Sequence, residues 1–468
     1  MPRNLEVQPR DVSPFSIPDI RRFIGFRVLF NSRFYYPVFT ILFLDFGLTV
    51  AQFSILNAVW AATIVLLEVP SGALADVIGR KHLVVFASAV MVVEVGIISF
   101  VPLMEPGVIF VVFLVNRILS GFAEAAASGA DEALAYDALT EKGNPQDWGR
   151  VLDYMTRFQS MGFILAMTLG AAVYDPGLVQ KLCDFASVDI VVAQSMTMRF
   201  PLYLTFVLAL ACLFVTLGMT GDVRGNGKDD HGGDRDGVSL LEALRLTMDA
   251  GSWIVKTWFV FWVMVFGMLF DGVIRMVVTL SSQYYRLVSV PESLFGIIAS
   301  AIAILGIFIP RLALRIVETR PPRDALLLTA LLALVGLWSM NFFWPWFGVL
   351  SAVITSSAMY FNGFFVSYYL NRNTASKNRA TVLSFKGLIY NISYGMMGVV
   401  YALAFKVQRL SLEAASPGGL DPAGIENQVF MDVFVWFPLV LMAGLVIMGV
   451  VAGSSFKKKG LNHRLGQL

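Results

Sequence analysis

Arg117, Gly121, Glu124, Ser128 and Asp131 follow one another at steps of four, three, four and three residues inside an apolar stretch. That spacing lines a base, two carboxylates and a hydroxyl along one face of a helix. Ionisable groups in a membrane-length apolar segment cost a few kcal/mol each, so they face a bundle interior or a wet cavity. Reversible protonation is the chemistry that buried carboxylates offer. Asp131 and Glu132 are adjacent and point two ways around the helix, and Asp131 shares the face with Arg117. Two blander readings stand beside this one. Arg117 and Glu124 could neutralise each other within the bundle, or Asp131 could form an ion pair between two halves of the molecule. Further polar groups lie in other apolar segments. These are Arg33 beside Asn31, Tyr35 and Tyr36; Asp271 and Arg275, spaced to pair on one helix face; and Asn362 among Tyr360, Tyr368 and Tyr369. Glu94, Asp153 and Arg157 read as packing between helices, and Glu68 as a partner for the loop that follows it.

The elements that must hold these groups are transmembrane helices. The 468-residue chain is 57% hydrophobic and 15% charged, against roughly 25% charged in a soluble domain. A bilayer core about 30 Å thick needs about 20 apolar residues per helix. Segments of that size fall near residues 24–46, 52–75, 83–104, 108–136, 151–174 and 199–219, then near 253–281, 292–314, 324–343, 346–370, 381–405 and 428–453. The expectation is an all-α membrane protein with twelve helices in two pseudo-symmetric six-helix bundles. Its parts are an N-terminal segment (1–23), a first bundle (24–219), a linker with an amphipathic helix (220–252), a second bundle (253–453) and a basic tail (454–468). The linker stretch from Gly221 to Gly237 is charged, Gly-rich and without apolar period. Leu48 to Pro70 lies on Val288 to Pro310 without a gap, matching Pro70 with Pro310, and Gly129 pairs with Gly363. Where the first half has Asp131 and Glu132, the second has aromatic residues, so the fold alone does not require those acids.

Lys and Arg crowd one set of loops, among them Arg80, Lys81, Lys142, Arg150, Arg311, Arg320 and Arg379. By the positive-inside rule both termini are cytoplasmic. The longest outer loops are then Tyr174 to Met198, with room for an interfacial helix, and Lys406 to Asn427. The N-terminus shows no cleavable signal, so helix 1 would serve as one. Cys183 and Cys212 make no disulfide framework. The three histidines stand far apart without metal-ligand spacing, no phosphate-binding glycine loop with a lysine is present, and a net charge of +2 argues against nucleic acid. These features point to no cofactor and no enzyme.

Between helices 2 and 3 the chain reads Gly72-Ala-Leu-Ala-Asp-Val-Ile-Gly-Arg-Lys-His. Gly72, Asp76, Gly79, Arg80 and Lys81 resemble the helix 2–3 loop of the major facilitator superfamily of secondary transporters, with Val77 replacing the usual base. Arg117 followed by Gly121 resembles that family's helix 4 motif, whose arginine serves proton transfer or substrate-anion contact. The resemblance implies parallel six-helix repeats around a cavity lined by helices 1, 4, 7 and 10. It implies a conformational latch of Asp137 with Asp76 and Arg80, asymmetric because only Arg320 matches in the second half. Its functional implication is a monomer in the inner membrane, moving a small solute by alternating access on a proton gradient, with export favoured. Helix 5, Gly162 to Ala172, lacks the proline of the antiporter motif, which weakens a drug–proton antiport reading. The alternative is a non-transporting relative that acts as a sensor or assembly partner.

Overall fold

A computed structural model describes residues 13–220, 240–374, 376–415 and 421–458. No strand occurs among the described residues, and twelve helical passes follow one another. Helix 1 is Pro18–Asn31 with Phe39–Asp45. Helices 2 and 3 are Val50–Ile78 and Arg80–Phe100. Helix 4 is Pro106–Ala127 with Ala130–Lys142, helix 5 is Trp148–Tyr174 and helix 6 is Phe200–Leu217. Helix 7 is Trp258–Thr279, continued by Ser281–Leu287. Helices 8 to 11 are Phe295–Thr319, Pro322–Met340, Gly348–Asn373 and Ser376–Ala415. Helix 12 is Pro422–Phe434 with Trp436–Lys458. Ten of these spans are apolar and long enough to cross a membrane, and helix 5 with the surface helix after it would make an eleventh. Helix 1 misses because it is broken.

Local chemistry sets the boundaries. At the start of helix 2, Thr49 Oγ1 accepts from the Gln52 amide at 3.2 Å while Gln52 Oε1 accepts from the Thr49 amide at 2.9 Å, a reciprocal cap. Gly79, at φ +89°, separates helices 2 and 3, a conformation glycine adopts freely. Pro70 and Pro310 both lie inside their helices, 2 and 8, so the repeat read from sequence places them at matching points.

The repeat is visible in who packs on whom. In the first half helix 1 packs on 5 and 6, and helix 4 on 2 and 3. In the second half helix 7 packs on 11 and 12, and helix 10 on 8 and 9. The halves meet through helix 2 on helix 11 and helix 5 on helix 8. We call the end holding Pro18 and Lys458 the near side, and the end holding Asp45 and Val50 the far side.

Several expectations need correcting. Helix 1 is not continuous over 24–46. It opens after Asn31 and resumes at Phe39 through a tight turn at Tyr36–Val38, because Pro37 has no amide to donate and disfavours helix in the residue before it. Helix 4 is broken as well. Ser128 ends its first part and Gly129 turns at φ +77°, so the regular stripe stops before Asp131. The outer segment from Lys406 is not a loop, since helix 11 runs to Ala415 and helix 12 begins at Pro422; Pro417 lies outside the described residues. The amphipathic helix is present at Leu240–Lys256, ending four residues past the expected linker bound at 252, and packs on helices 11, 7 and 2. Its Gly251 lies against the Phe385 ring. The stretch 221–237 and most of the tail fall outside the described residues. The surface helix Pro176–Phe185 forms after helix 5, capped by Asp175, with Phe185 almost fully exposed.

Candidate functional site

The first-half charges gather around the break in helix 1. Leaving the helix at Ser32 turns Arg33 inward, where it is 3% exposed. It donates to Glu94 of helix 3 and, at 3.0 Å, to the Tyr35 hydroxyl. Glu94, fully buried, also accepts from Asn116 Nδ2 of helix 4, which bonds the Glu94 carbonyl at 2.8 Å. Arg117 in turn donates through Nε to Asn116 Oδ1 at 3.0 Å. One network thus runs through helices 1, 3 and 4, and Glu94 is its centre rather than mere packing. Arg117 lies over the Phe39 and Phe43 rings, and its Nη2 has no hydrogen-bond partner. It does not pair with Glu124. Glu124 is solvent-exposed and makes no hydrogen bond or ion pair among the described residues. Gly121 sits against Trp60 and Thr63 of helix 2, so it packs helices together.

The second first-half cluster lies at the break in helix 4. Arg27 of helix 1 meets Asp131 at 2.5 Å and Glu132 at 2.6 Å. Asp131 is buried, Glu132 is half-exposed, and the Glu132 amide caps back onto Asp131 Oδ1 at 2.8 Å. The ion pair stays within the first half and does not bridge the two. Arg27 was missed by the sequence reading, although it stands four residues before Asn31 inside an apolar helix.

The second half is arranged differently. Asp271 and Arg275 pair at 2.5 Å along helix 7, as their spacing suggested. Arg275 also donates to Asn391 at 2.9 Å and covers the Tyr394 ring. Lys386 of helix 11, also missed, donates to Ser367 at 2.9 Å. Asn362 ties helix 10 to helix 7 through the Gly267 carbonyl at 3.4 Å.

At the near side, Arg80 pairs with Asp137, two of the five residues expected in a latch. Gly79 makes the turn. The side chain of Asp76 lies outside what is described, as does the surrounding of Gly72. The near-side stretch of helix 4 is open. Glu124, Ser128 and Gly129 are exposed, and a Cβ on Gly129, or on its repeat partner Gly363, would meet nothing within 4 Å.

The far side is closed by contacts that sequence reasoning did not find. Arg286 Nη1 and Nη2 reach the Asp45 carboxylate across the halves at 2.9 and 3.0 Å, and Nη2 reaches Glu292 at 2.5 Å. Thr40 donates its amide to Ser282 Oγ at 3.0 Å and its hydroxyl to the Thr279 carbonyl at 2.6 Å. The Val50 amide donates to Glu426 at 2.6 Å, and the Ser293 amide to Asp175 at 3.1 Å. Burial works to raise the Asp175 carboxyl, but bonds from Ser293 and from the amides of Leu178 and Gly177 outweigh it and hold it below the usual carboxylate range. Its contact is therefore retained at neutral pH and lost as acid protonates it. A hydrogen bond to a charged group contributes about 1.5–3 kcal/mol, and each 1.4 kcal/mol is tenfold in population. Asp45→Ala is therefore expected to raise the far-side-open population about tenfold or more. Maleimide labelling of Val290→Cys, a far-side position 4% exposed and outside these contacts, in a Cys183→Ser background measures this. An unchanged labelling rate would remove the Asp45–Arg286 pair from the closure.

A cavity of about 340 Å³ lies between the halves below this closure. None of Arg33, Arg117, Glu124, Asp131, Glu132, Asp271, Arg275 or Asn362 lines it.

The family model described as Major Facilitator Superfamily matches residues 23–398. No curated protein sequence matches the chain. Solved structures do. Nucleoside transporter NupG is 14% identical, with a TM-score of 0.65 over 93% of this chain and 99% of that one. A bacterial homologue of the human lysosomal transporter Spinster, inward-facing and unoccupied, is 13% identical, with a TM-score of 0.66 over 95% and 98%. The xylose transporter XylE from E. coli, partially occluded and inward open, is 12% identical, with a TM-score of 0.56 over 92% and 99%. At these identities the likeness concerns the fold.

Proposed function

The chain belongs to the major facilitator superfamily, and we propose that this secondary transporter couples its solute to protons through the carboxylates of helix 4. The observation that carries the reading is Arg27 held between Asp131 and Glu132 at the break in helix 4, beside the unpaired, exposed Glu124. An ion pair whose carboxylate can take a proton releases its arginine, and a broken helix supplies a joint at which that release moves backbone. Closure on the far side with Glu124 and Glu132 of helix 4 open on the near side is one half of an alternating-access cycle. The surplus of Lys and Arg on near-side loops supports a cytoplasmic near side. Arg80 and Asp137 are paired here within the first half, so any latch that holds the near side shut in the opposite state needs a further contact from this pair to the second half. Solute traffic in several neighbours of the same fold, nucleosides and xylose among them, supports a small solute without naming it.

The test is flux in proteoliposomes under an imposed proton gradient. Asp131→Asn is expected to abolish concentrative movement while leaving passive exchange and the folded state intact. Gradient-driven flux at the unaltered rate would end the coupling role of Asp131. Movement of solute against the proton gradient separates export by antiport from uptake by symport. Absence of any flux across a broad solute panel would favour the non-transporting reading.

A further inference from the structure

The cavity between the halves differs in character from the charged clusters around it. Its volume of about 340 Å³ falls in the range of roughly 300–1,000 Å³ typical of small-molecule pockets. Helices 1 and 5 of one half and helices 7, 8, 9 and 10 of the other all contribute to its walls, and no Asp, Glu, Lys, Arg or His is among them. Four of the bundle's arginines are occupied elsewhere, Arg33 on Glu94, Arg27 on Asp131, Arg275 on Asp271 and Arg286 on Asp45 and Glu292. Arg117, which lies over the Phe39 ring, and Glu124 are not among the lining residues.

The hydroxyls of the lining fall into two groups. Thr279 and Thr355 satisfy themselves on the Arg275 and Ser351 carbonyls of their own helices, at 2.8 and 3.0 Å. The hydroxyls of Tyr36, Ser281, Tyr285, Ser356 and Tyr360 make no hydrogen bond among the described residues. None of the five is sealed from solvent, Tyr36 being 40% exposed, so water bonds them when no solute is bound, and an occupant keeps those bonds only if it carries hydrogen-bonding groups of its own. Phe39, Phe163 and Phe295, with the rings of Tyr36, Tyr285 and Tyr360, make up the aromatic part of the wall. An ion placed among these walls would lose its hydration with no countercharge.

From this we infer that the cavity binds an uncharged solute with a flat apolar body and one or more hydrogen-bonding groups, and that the charged clusters do not contact it. The occupant touches both halves, so its binding biases their closure. The inference deepens the transporter reading, and its test is independent of transport.

The experiment compares three molecules with one body on the purified full-length protein: 1-naphthalenemethanol, 1-naphthoate and 1-naphthylmethylammonium. Binding is read by isothermal titration and by shift of the thermal midpoint. The alcohol is expected to bind at least about tenfold more tightly than either ion, since an unpaired charge is expensive in such walls. Ala299→Phe fills the space beside helix 8 and is expected to abolish binding. Ser356→Ala, which adds no bulk, is expected to weaken binding about threefold to tenfold, the scale of one hydrogen bond. Two results overturn the proposal: binding of either ion as tightly as the alcohol, or no binding of any of the three at millimolar concentration. Alcohol binding that survives both substitutions also overturns it by placing the probe elsewhere. Binding in a protein without flux would leave the cavity assignment and end the transport reading. Flux in a protein that ignores all three probes would do the reverse.

Discussion

Glu94→Ala destabilises the protein by about 3–5 kcal/mol, the scale on which breaking one side of a buried ion pair leaves a charge uncompensated. Both partners are buried, Glu94 at 0% and Arg33 at 3% exposure. The truncation strands Arg33 and also removes an acceptor from Asn116, so three helices lose their common point. The size of the effect lies in the stranded guanidinium rather than in the attraction lost. The double variant Arg33→Met, Glu94→Leu is therefore expected to recover most of the stability, because replacing a buried pair by apolar side chains is close to neutral or stabilising. Thermal denaturation of the purified protein, followed by tryptophan fluorescence, measures both. Equal destabilisation in the single and double variants would show that shape and hydrogen bonding, not charge burial, dominate here. The recovered double variant then gives the functional answer, since a folded protein that no longer transports would place the pair in the cycle.

The fold was legible because its information is coarse. Apolar runs of about 20 residues are forced by bilayer thickness, and Pro70 and Pro310 recur at matching places in helices 2 and 8. The site was legible only in part, because periodicity assumes an unbroken helix. Arg117 and Glu124 lie on one continuous helix, whereas Asp131 comes after the turn at Gly129, where the period restarts. Pro37 and the Ser128-Gly129 pair were the available signals for both breaks. Asp271 with Arg275 was readable because the pair is local. Arg27 with Asp131, Arg33 with Glu94 and Asp45 with Arg286 were not, since their partners are far apart in sequence and meet only after the helices pack. Lys386 escaped notice because its partner, Ser367, lies on the neighbouring helix and carries no charge.

Gly170→Ala and Gly296→Ala introduce the same methyl group and are expected to have opposite kinds of effect. A Cβ at Gly170 of helix 5 would overlap the carbonyl of Phe34, in the broken stretch of helix 1. Both belong to the first half, so the clash sits within a unit that must stay assembled. Overpacking there costs about 1–3 kcal/mol or more, and the expected result is a lower thermal midpoint. A Cβ at Gly296, in the first turn of helix 8, would overlap the carbonyl of Met167 on helix 5. That contact crosses between halves on the far side, and separating the halves relieves it. The protein is therefore expected to keep its thermal midpoint and to exchange a far-side-closed population for a far-side-open one. An overpacking cost of the same 1–3 kcal/mol shifts that balance about fivefold to more than a hundredfold. Spin-label distances between far-side positions on helices 1 and 7 report the change, and transport falls with it because the cycle cannot close. A Gly296→Ala protein with unaltered distances and unaltered flux would mean that helices 5 and 8 slide to admit the methyl group, and that the far-side closure rests on Asp45–Arg286 and its neighbours alone.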